Sequence, residues 1–283
     1  MPSSRHTHQR LPRNFHKTFI PERQYINAML QFAAAGRSGD YQGIAAATGI
    51  PMGTSTGKVP AILDYCRGMW LLELKGADRS AVKHPELTPF GRAVLFEDPY
   101  LKERVTQWIA HLNLCGPRTG ADAWYHTFFA GGASLGPVFA KAKLGEYLSL
   151  VYGTKQGGLI GPVVRMYEDG ASFRVCNVLS ESAGTVQRKA APVTDSFGYA
   201  YGAWILHLME THFPGVAQVT VTELDAQAGL RTIPGWDVER LRQALQLIEQ
   251  KGVIGLDRHM DPWLVRPARA TDEAWSCIYD DLI

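Results

Sequence analysis

The chain has 283 residues, 46% of them apolar, and a formal net charge of +2. That length holds one large or two ordinary domains with a real core, and the near-balanced charge names no partner by itself. The longest apolar runs, such as GAWILHLM at 202–209, fall far short of the roughly 20 residues that cross a bilayer, so no membrane span is expected.

Cys66, Cys115, Cys176 and Cys277 are widely separated and form no CxxC pair, which points to a reduced, cytoplasmic protein rather than a disulfide scaffold or zinc knuckle. The histidines are scattered too, without an HExxH pattern.

In chain order, residues 1–20 carry Arg5, Arg10, Arg13 and Lys17 and no acid, and read as a flexible basic arm that touches nucleic acid or is simply solvated. A helix is expected from Gln24, with Glu22 and Arg23 paired at its start. The run GTSTGKVP at 53–60 has the look of a phosphate loop. A P-loop needs four residues between its glycines and Ser or Thr after the lysine; here Gly53 and Gly57 enclose three, and Val59 follows Lys58. A nucleotide hydrolase is therefore disfavoured.

The segment from Tyr41 to Lys75 reads as short helix, turn, helix and strand. The first helix stops at Gly49, with Pro51 beyond it; the second has Pro60 in its first turn and Gly68 as its stop. This is the outline of a winged helix-turn-helix over residues 21–86, with the Gly/Ser/Thr run leading into the recognition helix. Ser55, Thr56 and Lys58 would then face a DNA phosphate, with Arg67 farther along; plain capping of the helix by Ser or Thr is the alternative for the hydroxyls.

Residues 87–195 form a helical middle with short strands: a helix capped by Thr88 and ended by Asp98-Pro99, another from Tyr100, and a strand around Phe173, Val175 and Val178. SESAGTVQRKAAPVTD reads as a polar linker or loop, its Arg188-Lys189 pair as solvated surface with a DNA contact as the alternative.

Residues 196–283 repeat the earlier logic. A short helix capped by Thr222 precedes an amphipathic helix from Asp237, with Leu241, Leu245 and Ile248 on its apolar face and Gly252 as its stop, and a hairpin follows. The expected fold is mainly α with small β wings, two winged helix-turn-helix modules flanking a helical middle. In the second module Arg231, Arg240 and Arg242 are the expected DNA contacts and Arg258 lies on the wing, while Glu239 and Glu249 oppose them. Many winged helices dock proteins instead.

FHKTFIPER (15–23), GTSTGKVPAILDYCRGMWLL (53–72), LTPFGRAVLFEDPYL (87–101) and the stretch from QWIAHLNL to WYHTFF (107–129) resemble, in order, the domain of unknown function of SspB-like proteins from bacterial DNA phosphorothioation and phage-defence gene clusters. The resemblance covers most of the chain. It implies a DNA-acting partner of sulfur transfer, alongside a cysteine desulfurase and a sulfurtransferase-like ATPase, and a nicking activity that opens one strand for sulfur insertion. One departure stands out: the family's His-Glu-Thr-Phe is His16-Lys17-Thr18-Phe19 here.

Cutting DNA with a hard metal such as Mg2+ or Mn2+ calls for clustered carboxylates. The expected set is His16 as proton carrier, Glu22 and Asp40 as metal ligands, and Arg23 on the phosphate. Asp122, His111 and His126 lie near the resembling motifs without a recognised nuclease spacing. A non-enzymatic DNA-binding scaffold or regulator that recruits the sulfur-transfer enzyme is the competing reading.

Overall fold

The computed structural model describes residues 10–53, 57–76, 80–153, 157–259 and 261–282. Three helices come first: α1 (Arg23–Ala34), α2 (Tyr41–Thr48) and α3 (Lys58–Gly68). Asp40 caps α2 by accepting from Gly43 N at 2.7 Å, and Gly49 ends it in the left-handed region at φ 71°. Strands β1 (Leu72–Leu74) and β2 (Pro85–Leu87) pair antiparallel behind α3, and Gly39 bridges Lys83 beside them.

The middle layer opens with α4 (Pro89–Glu97), capped as expected by Thr88, whose hydroxyl also donates to Trp70 O at 2.6 Å. Next come α5 (Arg104–Leu114) and α6 (Asp122–Tyr125), the latter running on through a π turn at His126–Ala130 to α7 (Gly132–Leu135). After β3 (Val138–Ala140), α8 (Lys141–Tyr152) and α9 (Gly157–Arg165), strands β4 (Leu179–Ser182) and β5 (Thr185–Arg188) close a sheet of order β3-β5-β4. The stretch expected to be a polar loop is thus a hairpin. Leu179 and Val186 point into the core, and Gly184 takes φ 79° at the turn. Phe173 and Val178 are buried, but residues 171–176 make turns, not a strand.

The last third begins with α10 (Gly198–His212), buried along most of its length, as a helix apolar on every side must be. At Gly202 a Cβ would sit 2.6 Å from a Val253 methyl, so this crossing requires glycine. Strand β6 (Val219–Thr220) leads into α11 (Val221–Ala228), capped by a reciprocal Thr220/Glu223 box two residues before the expected Thr222. Helix α12 (Val238–Gln250) is capped by Asp237, and the hairpin β7 (Ile254–Asp257) and β8 (Leu264–Pro267) completes a sheet of order β6-β8-β7. Finally α13 (Thr271–Ser276) returns to pack on α4 and α10, setting Trp275 against Phe90 and Trp70. The described residues are mainly helical with three small antiparallel sheets, and none of their helices is long and apolar enough to cross a membrane.

The expected flexible arm does not extend to residue 20. Leu11, Phe15, His16 and Ile20 are buried. Leu11 bonds through its amide to Gly120 O at 2.8 Å and through its carbonyl to Asp122 N at 3.0 Å, and Phe15 lies edge-on to Tyr65 of α3. Three large apolar side chains within residues 11–20 bury too much surface to stay in water. Residues 1–9, the remainder of that arm, lie outside the described residues.

Candidate nucleic-acid interface

The two helices expected to meet DNA differ in what covers them. On α3, Val59, Pro60, Ala61, Ile62, Leu63, Tyr65, Cys66 and Gly68 are all buried. A Cβ on Gly68 would lie 2.8 Å from Leu114 of α5 and 2.9 Å from Leu11, so this glycine serves close packing from two sides and not a left-handed stop. Trp124 of α6 stacks edge-on against Tyr65, whose hydroxyl donates to Phe19 O.

The polar groups of α3 are also engaged. Lys58 forms an ion pair with Glu22 and sits over the rings of Phe19 and Tyr25, and Arg67 pairs with Asp64 at 3.0 Å. Lys58 and Arg67, expected DNA contacts, are thus paired within the chain on a helix packed from both sides. Ser55 and Thr56 lie outside the described residues.

Helix α12 keeps an open face. Leu241, Ala244, Leu245 and Ile248 are buried, whereas Arg240, Arg242, Gln243 and Gln246 are exposed. Arg242 and Arg258 approach the Trp263 ring, their guanidinium carbons 5.8 and 5.1 Å from its centroid. Glu249, expected to repel DNA, is held by Arg258 and by Leu256 N at 2.9 Å; the ion pair with Arg258 and these hydrogen bonds keep its carboxyl below the usual range despite partial burial. Arg266 is exposed on β8 beside them. Arg231 is held by Asp225, which takes its Nε at 3.1 Å and also accepts its backbone N–H and that of Thr232. Arg240, Arg242, Arg258 and Arg266 thus lie on α12 and its hairpin, with Glu239 and Glu249 among them.

The four residues expected to cut DNA are not assembled. No hydrogen bond or ion pair joins any two of them. His16 is buried, accepts from Thr18 N at 3.0 Å and packs against Phe15 and Trp124; burial lowers its pKa to about 4, so it is neutral at pH 7. Glu22 is committed to Lys58, not to the neighbouring Arg23. Arg23 donates to Tyr100 O and Gly170 O, pinning α1 to the middle layer. Asp40 spends an oxygen on its helix cap. Among the described residues no three His, Cys, Asp or Glu side chains are grouped to hold a metal ion.

A different cluster forms where residues 10–13 meet the turn before α6. Arg10, Leu11, Pro12, Arg13, Pro117, Arg118 and Asp122 line a cavity of about 430 Å3. Asp122 accepts from Arg10 Nε at 3.0 Å and from the Tyr152 hydroxyl at 2.8 Å, with His126 Nε2 3.8 Å away. Burial lowers the His126 pKa against the opposing pull of Asp122, and its Nδ1 has no partner. Asp122 and His126 could be noticed in the sequence, but Arg10 lies 112 positions from its partner, a pairing no local pattern announces. Arg188, read as solvated, is half-buried instead: it donates to Thr232 O and Ile233 O and lies over Phe128.

No protein-family model matches the chain, and no curated protein matches it in sequence. Among solved structures it is similar to a magnesium ion-bound SspB crystal structure (TM-score 0.67, 16% identity, 95% of this chain and 87% of that one). A second SspB crystal structure aligns with TM-score 0.62 and 17% identity over the same shares. The chain therefore has the SspB-like fold.

Proposed function

We propose that this chain is a DNA-binding component of a DNA phosphorothioation system, and that it holds duplex DNA through residues 219–267. The observation that carries this reading is the open arginine face of α12 beside a hairpin bearing Arg258 and Trp263, within a fold shared nearly end to end with SspB structures. The order β6, α11, α12, β7, β8 supports a winged helix-turn-helix, with α12 entering the major groove and the hairpin as the wing on the adjacent backbone. The order of α1, the Gly39 bridge, α2, α3, β1 and β2 supports a second unit of the same type, used as a packing core. Sulfur-transfer enzymes, a cysteine desulfurase and its ATPase partner, are the company this reading assigns to it.

Glu22 and Asp40 do not fit a magnesium site, because one is paired with Lys58 and the other caps α2. We propose binding and recruitment as the role, with metal-dependent nicking as the alternative. Fluorescence anisotropy with a labelled duplex over a salt series should give an affinity that falls steeply with salt, as counterion release requires. A parallel supercoiled-plasmid assay with and without Mg2+ or Mn2+ separates the two readings. Salt-sensitive binding with the plasmid left supercoiled supports recruitment, conversion to open circle only with metal moves the conclusion to a nickase, and no binding at low salt removes DNA altogether.

A further inference from the structure

We infer that the cavity lined by Arg10, Arg13, Arg118 and Asp122 is a binding site for a phosphomonoester dianion, the group at a phosphorylated DNA strand end or on a free nucleotide. As a DNA site it rests on the proposed DNA binding; as a phosphate site it does not.

The cavity is built rather than incidental. The turn that carries Arg118 is fixed by Gly116 N to Asn113 O, Gly120 N to Gly116 O and Ala121 N to Leu114 O, at 2.9, 3.2 and 2.7 Å. At Gly120 a Cβ would fall 2.4 Å from Leu114 O, so only glycine permits this turn. Leu11 ties the opposite wall to it through its two backbone bonds to Gly120 and Asp122.

Each arginine is held by part of its guanidinium. Arg10 gives Nε to Asp122 and one terminal nitrogen to Pro117 O at 2.6 Å, and its guanidinium lies 4.0 Å from the Tyr125 ring centroid. Arg118 gives one nitrogen to Thr211 O at 2.7 Å, in the last turn of α10. The Arg13 guanidinium lies over the Tyr152 ring, 5.1 Å from its centroid, with no side-chain hydrogen bond among the described residues. A guanidinium carries five N–H donors in a fixed fork, so all three retain donors for the cavity.

Charge selects the ligand. Three guanidiniums face one carboxylate, and that carboxylate is already shared between Arg10 and the Tyr152 hydroxyl. His126 behind it is neutral at pH 7 and adds no charge. The surplus of two positive charges matches a terminal phosphate, which carries close to two negative charges at pH 7, better than a backbone phosphodiester with one. The fork geometry of arginine suits phosphate oxygens bidentately.

The test uses the full chain and nicked duplexes that bear a 5′-phosphate, a 3′-phosphate or hydroxyls at the nick, with AMP against adenosine as the free-ligand pair. The expected result is about tenfold tighter binding of one phosphorylated nick, or of AMP, than of its hydroxyl counterpart. Arg13→Gln with Arg118→Gln should abolish that preference at unchanged thermal midpoint, and Arg13→Lys with Arg118→Lys should restore part of it. Preference for a strand end without preference for AMP assigns the site to DNA; the reverse assigns it to a nucleotide. Equal affinity for phosphate and hydroxyl forms in both pairs overturns the inference, as does a preference that survives the glutamine variant. If the glutamine variant unfolds, phosphate protection of Arg118 from phenylglyoxal in the native protein takes its place, and absence of protection overturns the inference. Arg240→Ala with Arg242→Ala should weaken binding to intact duplex while leaving the phosphate preference intact, so loss of DNA binding and loss of the pocket are read separately.

Discussion

Helices α3 and α12 hold the same place in two units of the same order, each preceded by a short helix and followed by a hairpin, yet one is sealed and the other open. What seals α3 is the chain's own start. Leu11 and Phe15 lie on it from one side and α5 from another, whereas nothing covers the arginine face of α12 among the described residues. Unit architecture therefore does not decide which helix can reach a groove; the burial of its second face does.

The largest way to break this comparison is to remove the seal. Phe15→Ala deletes a buried ring from between Tyr65 and Trp124 and should cost about 3 kcal/mol in urea unfolding. DNA affinity of the folded fraction should not change. A rise in affinity would mean that α3 is a masked reading helix and not a packing core.

Acid should strike the same region. His16 is lowered to about 4 by burial, below the 6.5 it regains on unfolding, so the unfolded chain takes up protons first as pH falls. Its contribution is fully present above pH 6.5 and is lost progressively down to about 4, on the order of 3 kcal/mol. Residues 219–267 contain only the exposed His259. Hydrogen-exchange protection measured at pH 7 and 5 should fall first around residues 10–20 and α3, and last in α12. Uniform loss would show that the two units open together.

Next in size, Arg240→Ala with Arg242→Ala should weaken duplex binding by about thirtyfold, near 2 kcal/mol, and reduce the salt slope by about two. Lys58→Ala should leave affinity within about twofold while costing about 1 kcal/mol of stability through the abandoned Glu22, half-buried beside it. Equal losses for both would erase the distinction drawn between the helices.

Much of this contrast is legible in the sequence. DVERLRQALQLIEQKG shows a 3.6-residue apolar stripe with a polar back, and α12 emerged as expected. KVPAILDYCRG has only Lys58, Asp64 and Arg67 as charged positions; a helix so apolar on every side signals burial, while Lys58 and Arg67 alone suggest a DNA face. The spacing of Leu11, Phe15 and Ile20 within a basic run was likewise masked by charge. The cavity was beyond local reading, because its walls come from residues 10–13 and 117–122, and the three arginines converge only through backbone pairing between distant segments.

The smallest prediction tests the sign of one charge on the open face. Glu239 stands in the first turn of α12, hydrogen-bonded by Gln243 at 3.1 Å, where it favours the helix dipole but would repel the phosphates of a duplex held on the proposed face. Glu239→Gln should raise duplex affinity about twofold at a stability cost of a few tenths of a kcal/mol. Asp64→Asn, its counterpart on α3, should leave affinity unchanged, because Arg67 and the packed layer already screen it. A loss of affinity on Glu239→Gln would carry a different meaning: a carboxylate in the major groove accepts from the cytosine amino group, so Glu239 would be reading a base, and the loss should then be confined to duplexes with cytosine at one position.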